Sequence, residues 1–155
     1  MRTITEVTRA LGVRALVSPG WGRLAALEPD DANVTVVGAL DHDTVFPRCA
    51  AAVHHGGSGT TAASVGAGLP TVVCSVFADQ PFWGARVANA GLGAHVRFKD
   101  LDRASLESAL RRALAPEVRA KAADLGPRLL TGRAVAEQAA DAVEAAAGGN
   151  FSPWT

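Results

Sequence analysis

Tyrosine is missing from the sequence, cysteine occurs only twice, and neither sign of charge dominates. Lysine plus arginine number 15 and aspartate plus glutamate 15, for a formal net charge of +0. Each shortage excludes something. Without a charge excess or a basic stripe, the chain has no electrostatic footprint for nucleic acid, and no nucleic-acid partner is expected. No apolar run approaches the roughly 20 residues needed to span a bilayer. The opening "MRTITEVTRALGVRALV" carries charge where a signal peptide needs its apolar segment, so the expected location is cytoplasmic. Cys49 and Cys74 stand in apolar contexts without metal-ligand spacing; they read as buried reduced thiols, and no metal is expected. The missing tyrosine, the few lysines and the many alanines and arginines together fit a GC-rich bacterial coding sequence.

What is present is enough for one folded domain. The chain has 155 residues, of which 48% are hydrophobic, ample for a core and too apolar for a disordered segment. A helix is expected up to Leu11, capped by Gly12. "VRALVS", "NVTVVG", "AAAVHH", "LPTVVCSV" and "GAHVRF" are strand candidates, and the Val-rich second one reads as buried on both faces. Between them, helical pieces are expected at 23–27, 43–49, 58–67 and 80–90. After Leu101, "DRASLESALRRAL", "PEVRAKAADLGPRLL" and "RAVAEQAADAVEAAA" repeat apolar positions three and four apart, which predicts three amphipathic helices. Asp102 suits an N-cap and Pro116 a first helical position. Short buried strands alternating with helices imply right-handed crossovers and a single doubly wound, Rossmann-like parallel sheet. The expected domain covers residues 1–148, with 149–155 an irregular tail. In such a sheet ligands bind beyond the carboxyl ends of the strands. There the loops "SPGWGR", "GALDHD", "HHGGSGTT" and "SVFADQPF" converge.

The turn "HHGGSGTT" is the densest of these. A helix starting near Ser58 would point unpaired backbone N–H groups and roughly half a positive charge at the turn, which attracts an anion. Gly56, Gly57 and Gly59 let backbone approach a phosphate without a Cβ, and Ser58, Thr60 and Thr61 add hydroxyls. A preceding histidine can donate to a phosphate oxygen. The alternative is a Gly-rich strand-to-helix turn with one packed histidine. Other chemistries fit less well. The lysine of a P-loop is missing, G-x-G-x-x-G is absent, and Ser58 in "GGSGT" fails the nucleophile-elbow spacing. Adjacent histidines on an extended chain point to opposite sides, poor geometry for one metal.

"HHGGSGTTAASVGAGLP" followed by "FADQPFWGARVANAGLG", with "DHDTVFPRCAAAVHHGG" upstream, resembles the C-terminal, donor-binding domain of GT-B fold glycosyltransferases. The likeness is to the bacterial and fungal sterol- and glycolipid-type members of the nucleotide-sugar-dependent superfamily, over about Ser18 to Leu114. The resemblance implies a UDP- or dTDP-sugar donor. It implies diphosphate contacts from His55, Gly57, Ser58, Gly59 and Thr60, with His54 packing or orienting the turn. Asp79 and Gln80 would meet the hydroxyls of the transferred hexose; a plain N-cap is the competing role for Asp79. Leu40 and His42 would meet the nucleoside, as would Trp21. Three departures qualify the match: Asp41 stands where proline is usual, Ala63 where plant relatives hold ribose with a glutamate, and Ala39 near their base-stacking tryptophan.

The resemblance further implies that the domain's first strand lies before Met1. The acceptor domain and the catalytic base would also lie outside this chain, so no catalytic residue is assigned within it and the chain alone is expected to be inactive. The acceptor would be a hydrophobic hydroxyl compound (a lipid, sterol or natural product), and the intact enzyme could associate peripherally with a membrane. Two other readings stand beside this one: a non-catalytic nucleotide-binding module that needs a separate acceptor-domain chain, and a nucleotide-sugar epimerase of the same fold.

Overall fold

The computed structural model describes residues 1–18, 32–129 and 133–148. The helical piece expected at 23–27, Trp21 and the tail at 149–155 lie outside the described residues. The helices are α1 (Arg2–Leu11), α2 (His42–Val45), α3 (Ser58–Gly66), α4 (Gln80–Asn89), α5 (Arg103–Ala113), α6 (Pro116–Leu125) and α7 (Arg133–Ala147). The strands are β1 (Ala15–Val17), β2 (Val34–Val36), β3 (Ala52–His54), β4 (Thr71–Ser75) and β5 (Gly93–Arg97).

The chain is α/β, with every described strand pair parallel. β4 shows why. All its residues are buried, and alternation sends Val73 to one face and Val72 and Cys74 to the other. Val73 joins Val65 of α3, Val87 of α4, Leu92 and Ala122 of α6. Val72 and Cys74 join Ala94 of β5 with Ala109 and Ala113 of α5. Helices therefore cover both faces of the central strand, the doubly wound arrangement expected from the alternating elements.

Two expectations need correction. The strands form two parallel ladders among the described residues, β1–β2 and β3–β4–β5, instead of one sheet, and a cleft of about 790 Å³ separates β1 from β3. In β2 only Val34 is buried while Thr35 is exposed, so its valines reflect an outer strand covered mainly on one side.

Helix ends follow local chemistry. Gly12, at φ 65°, ends α1 and donates its N–H to the Arg9 carbonyl. Asp102 and Ser105 form a reciprocal capping box at α5, with Ser105 N–H to Asp102 Oδ1 at 2.7 Å and Asp102 N–H to Ser105 Oγ at 2.9 Å. The Ser105 backbone N–H first, and then the Ser105 hydroxyl, pull the Asp102 carboxyl below its usual range. Pro116 occupies the first turn of α6. Pro47 limits the 43–49 helix to one α turn over His42–Val45, continued by a 3-10 turn over Phe46–Arg48. Among the described residues no helix is long and apolar enough to cross a membrane.

Candidate functional site

The carboxyl ends of β3 and β4 meet at Gly56. Its φ is +93°, and a Cβ there would stand 2.5 Å from Val73 Cγ1 and 3.3 Å from the Gln80 carbonyl oxygen. Only glycine fits both the left-handed conformation and the gap. This close approach brings the start of α3 against the start of α4, so the "HHGGSGTT" and "FADQ" segments become one rim.

His54 turns inward. Its Nδ1 accepts the Gly56 N–H at 3.0 Å, which places the remaining ring proton on Nε2, 3.2 Å from Ser64 Oγ. Ser64, fully buried, also bonds the Thr61 carbonyl and the Thr71 hydroxyl. Burial first, then the nearby His55 and His42, hold the His54 pKa down at about 4. It is a neutral brace of the turn, the role expected for the first histidine.

His55 turns outward and is exposed, its ring nearly perpendicular to that of His54 at 77°. It leans over Gly57, where a Cβ would come within 2.7 Å of His55 Nε2. Gly57 is the N-cap of α3 and contributes no side chain to the cap. The first backbone bond of the helix is Thr61 N–H to the Gly57 carbonyl, at 2.9 Å. The N–H groups of Ser58, Gly59 and Thr60 consequently have no partner within the helix. A Cβ on Gly59 would meet only open space, and Ser58 and Gly59 are both exposed. Thr61 must be removed from the hydroxyls facing a ligand. It is buried, and its Oγ1 donates to the Gly57 carbonyl at 2.9 Å.

Asp79 holds the N-cap position of α4, but its side chain makes no cap bond. Its Oδ2 instead accepts the Trp83 indole N–H at 2.8 Å, so the plain N-cap role does not describe it. Gln80 is buried, and its Oε1 accepts the backbone N–H groups of Val76 at 2.8 Å and Phe77 at 3.2 Å. These bonds fold the loop that carries Asp79. Between them Ala78 sits at φ 55°, the kind of local strain found where structure over-determines a loop. Trp83 was the residue missed from sequence; its i,i+4 spacing from Asp79 was the available signal.

On the third side, α2 packs against α3. Asp41, standing where proline was expected, caps α2 by accepting Asp43 N–H at 3.2 Å and the Thr44 hydroxyl at 2.6 Å. His42 stacks on Phe46 with ring centroids 4.5 Å apart. Leu40 and His42 are half-buried at this edge. His55, Gly57, Ser58, Gly59 and Thr60 at the start of α3 and Asp79 at the start of α4 thus stand on packed neighbouring helices, with His42 on α2 beside α3 and the Gln80 side chain buried. Cys74 is buried, which pushes its pKa up to about 11. Cys49, only partly buried, donates to the Val45 carbonyl. Among the described residues, no group of three or more His, Cys, Asp or Glu side chains is placed to hold a metal ion.

A family model described as Erythromycin biosynthesis protein CIII-like, C-terminal domain, matches residues 22–144. The chain belongs to this family. An uncharacterized protein of Mycobacterium bovis is 41% identical over 145 residues, 93% of this chain and 34% of the relative. Sterol 3-beta-glucosyltransferase UGT80B1 of Arabidopsis thaliana is 41% identical over 127 residues, 81% of this chain and 21% of the relative. The solved glycotransferase of kitacinnamycin superposes with a TM-score of 0.78 at 26% identity, over 92% of this chain and 38% of that one. The EryCIII-like chain is therefore similar to the C-terminal, Rossmann-like half of GT-B glycosyltransferases, and it spans about a third or less of the length of these relatives.

Proposed function

We propose that the chain is the donor-binding part of an inverting glycosyltransferase that moves a hexose from a UDP- or dTDP-sugar to a hydroxyl of a lipid, sterol or natural product. One observation carries the reading: the exposed His55 ring stands against Gly57, the N-cap of α3, whose first N–H groups at Ser58, Gly59 and Thr60 have no partner within the helix. That set suits a diphosphate, whose oxygens accept hydrogen bonds and whose charge is favoured at a helix start.

In the proposed reaction the acceptor oxygen attacks the anomeric carbon while the bond from that carbon to the diphosphate oxygen breaks. The acceptor proton passes to a base outside this chain, and the electron pair leaves with the nucleoside diphosphate. His55 and the amides of Ser58, Gly59 and Thr60 meet the growing charge, so no metal is needed. Asp79, with Oδ2 fixed by Trp83, offers Oδ1 to a sugar hydroxyl. Gln80 keeps its carbonyl oxygen on the loop and has its amide group left to donate. Leu40 and His42, and Trp21 outside the described residues, are assigned to the nucleoside.

The test is His55→Ala. In the intact enzyme it should lower transfer by roughly 100-fold or more, the scale of losing a donor to developing charge, and it should weaken nucleoside diphosphate binding. Unchanged kinetics would remove the assignment. Titration of UDP, dTDP and their sugars, combined with a donor-hydrolysis assay, separates this reading from a module that only binds.

A further inference from the structure

The loop that carries Asp79 leaves β4 directly after Ser75, and Ser75 is bonded to a histidine that the donor reading does not use. Ser75 is 3% exposed, and its Oγ lies 2.8 Å from His95 Nε2. His95 stands in β5, in register with Val73, so both side chains lie on the sheet face that α4 covers. The same imidazole meets α4 at Gly84, where a Cβ would come within 2.4 Å of His95 Cδ2 and 2.7 Å of His95 Cγ. Gly84 has ordinary helical backbone, so glycine is needed there for space and not for conformation. Glycine inside a helix is unfavourable, and here its missing Cβ is the room the ring occupies.

A serine and a histidine at this distance can act as nucleophile and base. The burial of Ser75 excludes that use, since a substrate must reach the oxygen. A packing role alone is also too little. An aliphatic residue at 95 would fill the gap but leave the buried Ser75 hydroxyl without its imidazole partner, which is costly. What the ring joins is the two ends of the loop. Ser75 precedes it, and α4 follows with Gln80, whose Oε1 gathers the Val76 and Phe77 N–H groups, and Trp83, whose indole N–H holds Asp79. Trp83 adjoins Gly84, and Gln80 lies about one turn before it.

We infer that His95 is a positioning residue: held between Ser75 and Gly84, its ring sets the spacing between α4 and the end of β4, and through it the place of Asp79 against the sugar. The sugar role rests on the donor reading; the spacing role does not.

The test compares Gly84→Ala, which closes the gap, with His95→Leu, which keeps bulk but no bond, and His95→Gln, which keeps a polar end. Amide exchange at Val76 and Phe77 should quicken by roughly tenfold or more in Gly84→Ala and His95→Leu and much less in His95→Gln, with Thr61 of α3 unchanged in all three. In the first two, affinity for UDP-glucose or dTDP-glucose should fall by roughly fivefold or more, while affinity for UDP and dTDP stays. Should Gly84→Ala fail to fold, the two His95 variants decide alone. Unchanged exchange at Val76 and Phe77, equal effects of His95→Leu and His95→Gln, or equal loss of nucleotide and nucleotide sugar overturns the proposal. The expected exchange pattern without nucleotide binding to the unaltered chain would instead overturn the donor reading and the sugar role, and would support the spacing role.

Discussion

His54 and His55 are adjacent, yet one is a brace and the other a binding group, and pH tells them apart. The His54 pKa falls from 6.5 to about 4 on folding. The unfolded chain therefore binds a proton that the folded chain refuses between these values. His54's contribution is fully present above pH 6.5 and is lost as the pH falls through about 4. His95, also lowered, first by burial and then by Arg97, adds to the same slope. We predict that His54→Gln flattens the fall in stability between pH 6.5 and 4 without abolishing it, as measured by denaturant unfolding at stepped pH. An unchanged slope would contradict the neutral brace. At the rim, Trp83→Phe should leave folding intact and weaken binding of the nucleotide sugar more than of the nucleotide alone, because it frees Asp79 Oδ2. Equal losses for both ligands would contradict that role.

At the scale of elements, the turn between β3 and α3 joins the two halves of the rim, and it does so through one glycine. Gly56→Ala meets both a left-handed φ and Val73 Cγ1, a combined cost of about 2 kcal/mol or more. It should lower the thermal midpoint and also weaken ligand binding, since α3 and α4 would separate. Asp102→Ala removes one half of the α5 capping box and should lower the thermal midpoint modestly with no change in nucleotide affinity. Similar affinity losses in the two variants would contradict the division between site and scaffold. Helices and caps were the most legible parts of the sequence because their signals are local: Gly12, Asp102 and Pro116 act on their own turns. The inward use of Thr61 and the Gln80 carbonyl was not legible. Both depend on which backbone group lies opposite once β3 and β4 pair, and spacing along the chain does not contain that.

Over the whole molecule, parallel pairing and helices on both faces could be read from buried strands alternating with helices. The break between β1 and β3 could not, because strand patterns give no neighbour order. Leu16 and Val53 look like ordinary core residues in sequence, and only the ladder assignments reveal them as facing edges of a cleft. The proposed rim, by contrast, lies in two contiguous motifs whose glycines and polar residues have few other uses, so its residues could be named from the sequence. The central claim concerns that rim, and calorimetric titration of dTDP and UDP into the chain and its His55→Ala variant tests it most directly. The account predicts saturable binding of at least one nucleotide, weakened by roughly tenfold or more in the variant, the effect of losing about 1.4 kcal/mol. Binding of equal strength in both proteins, or none to the unaltered chain, would contradict it.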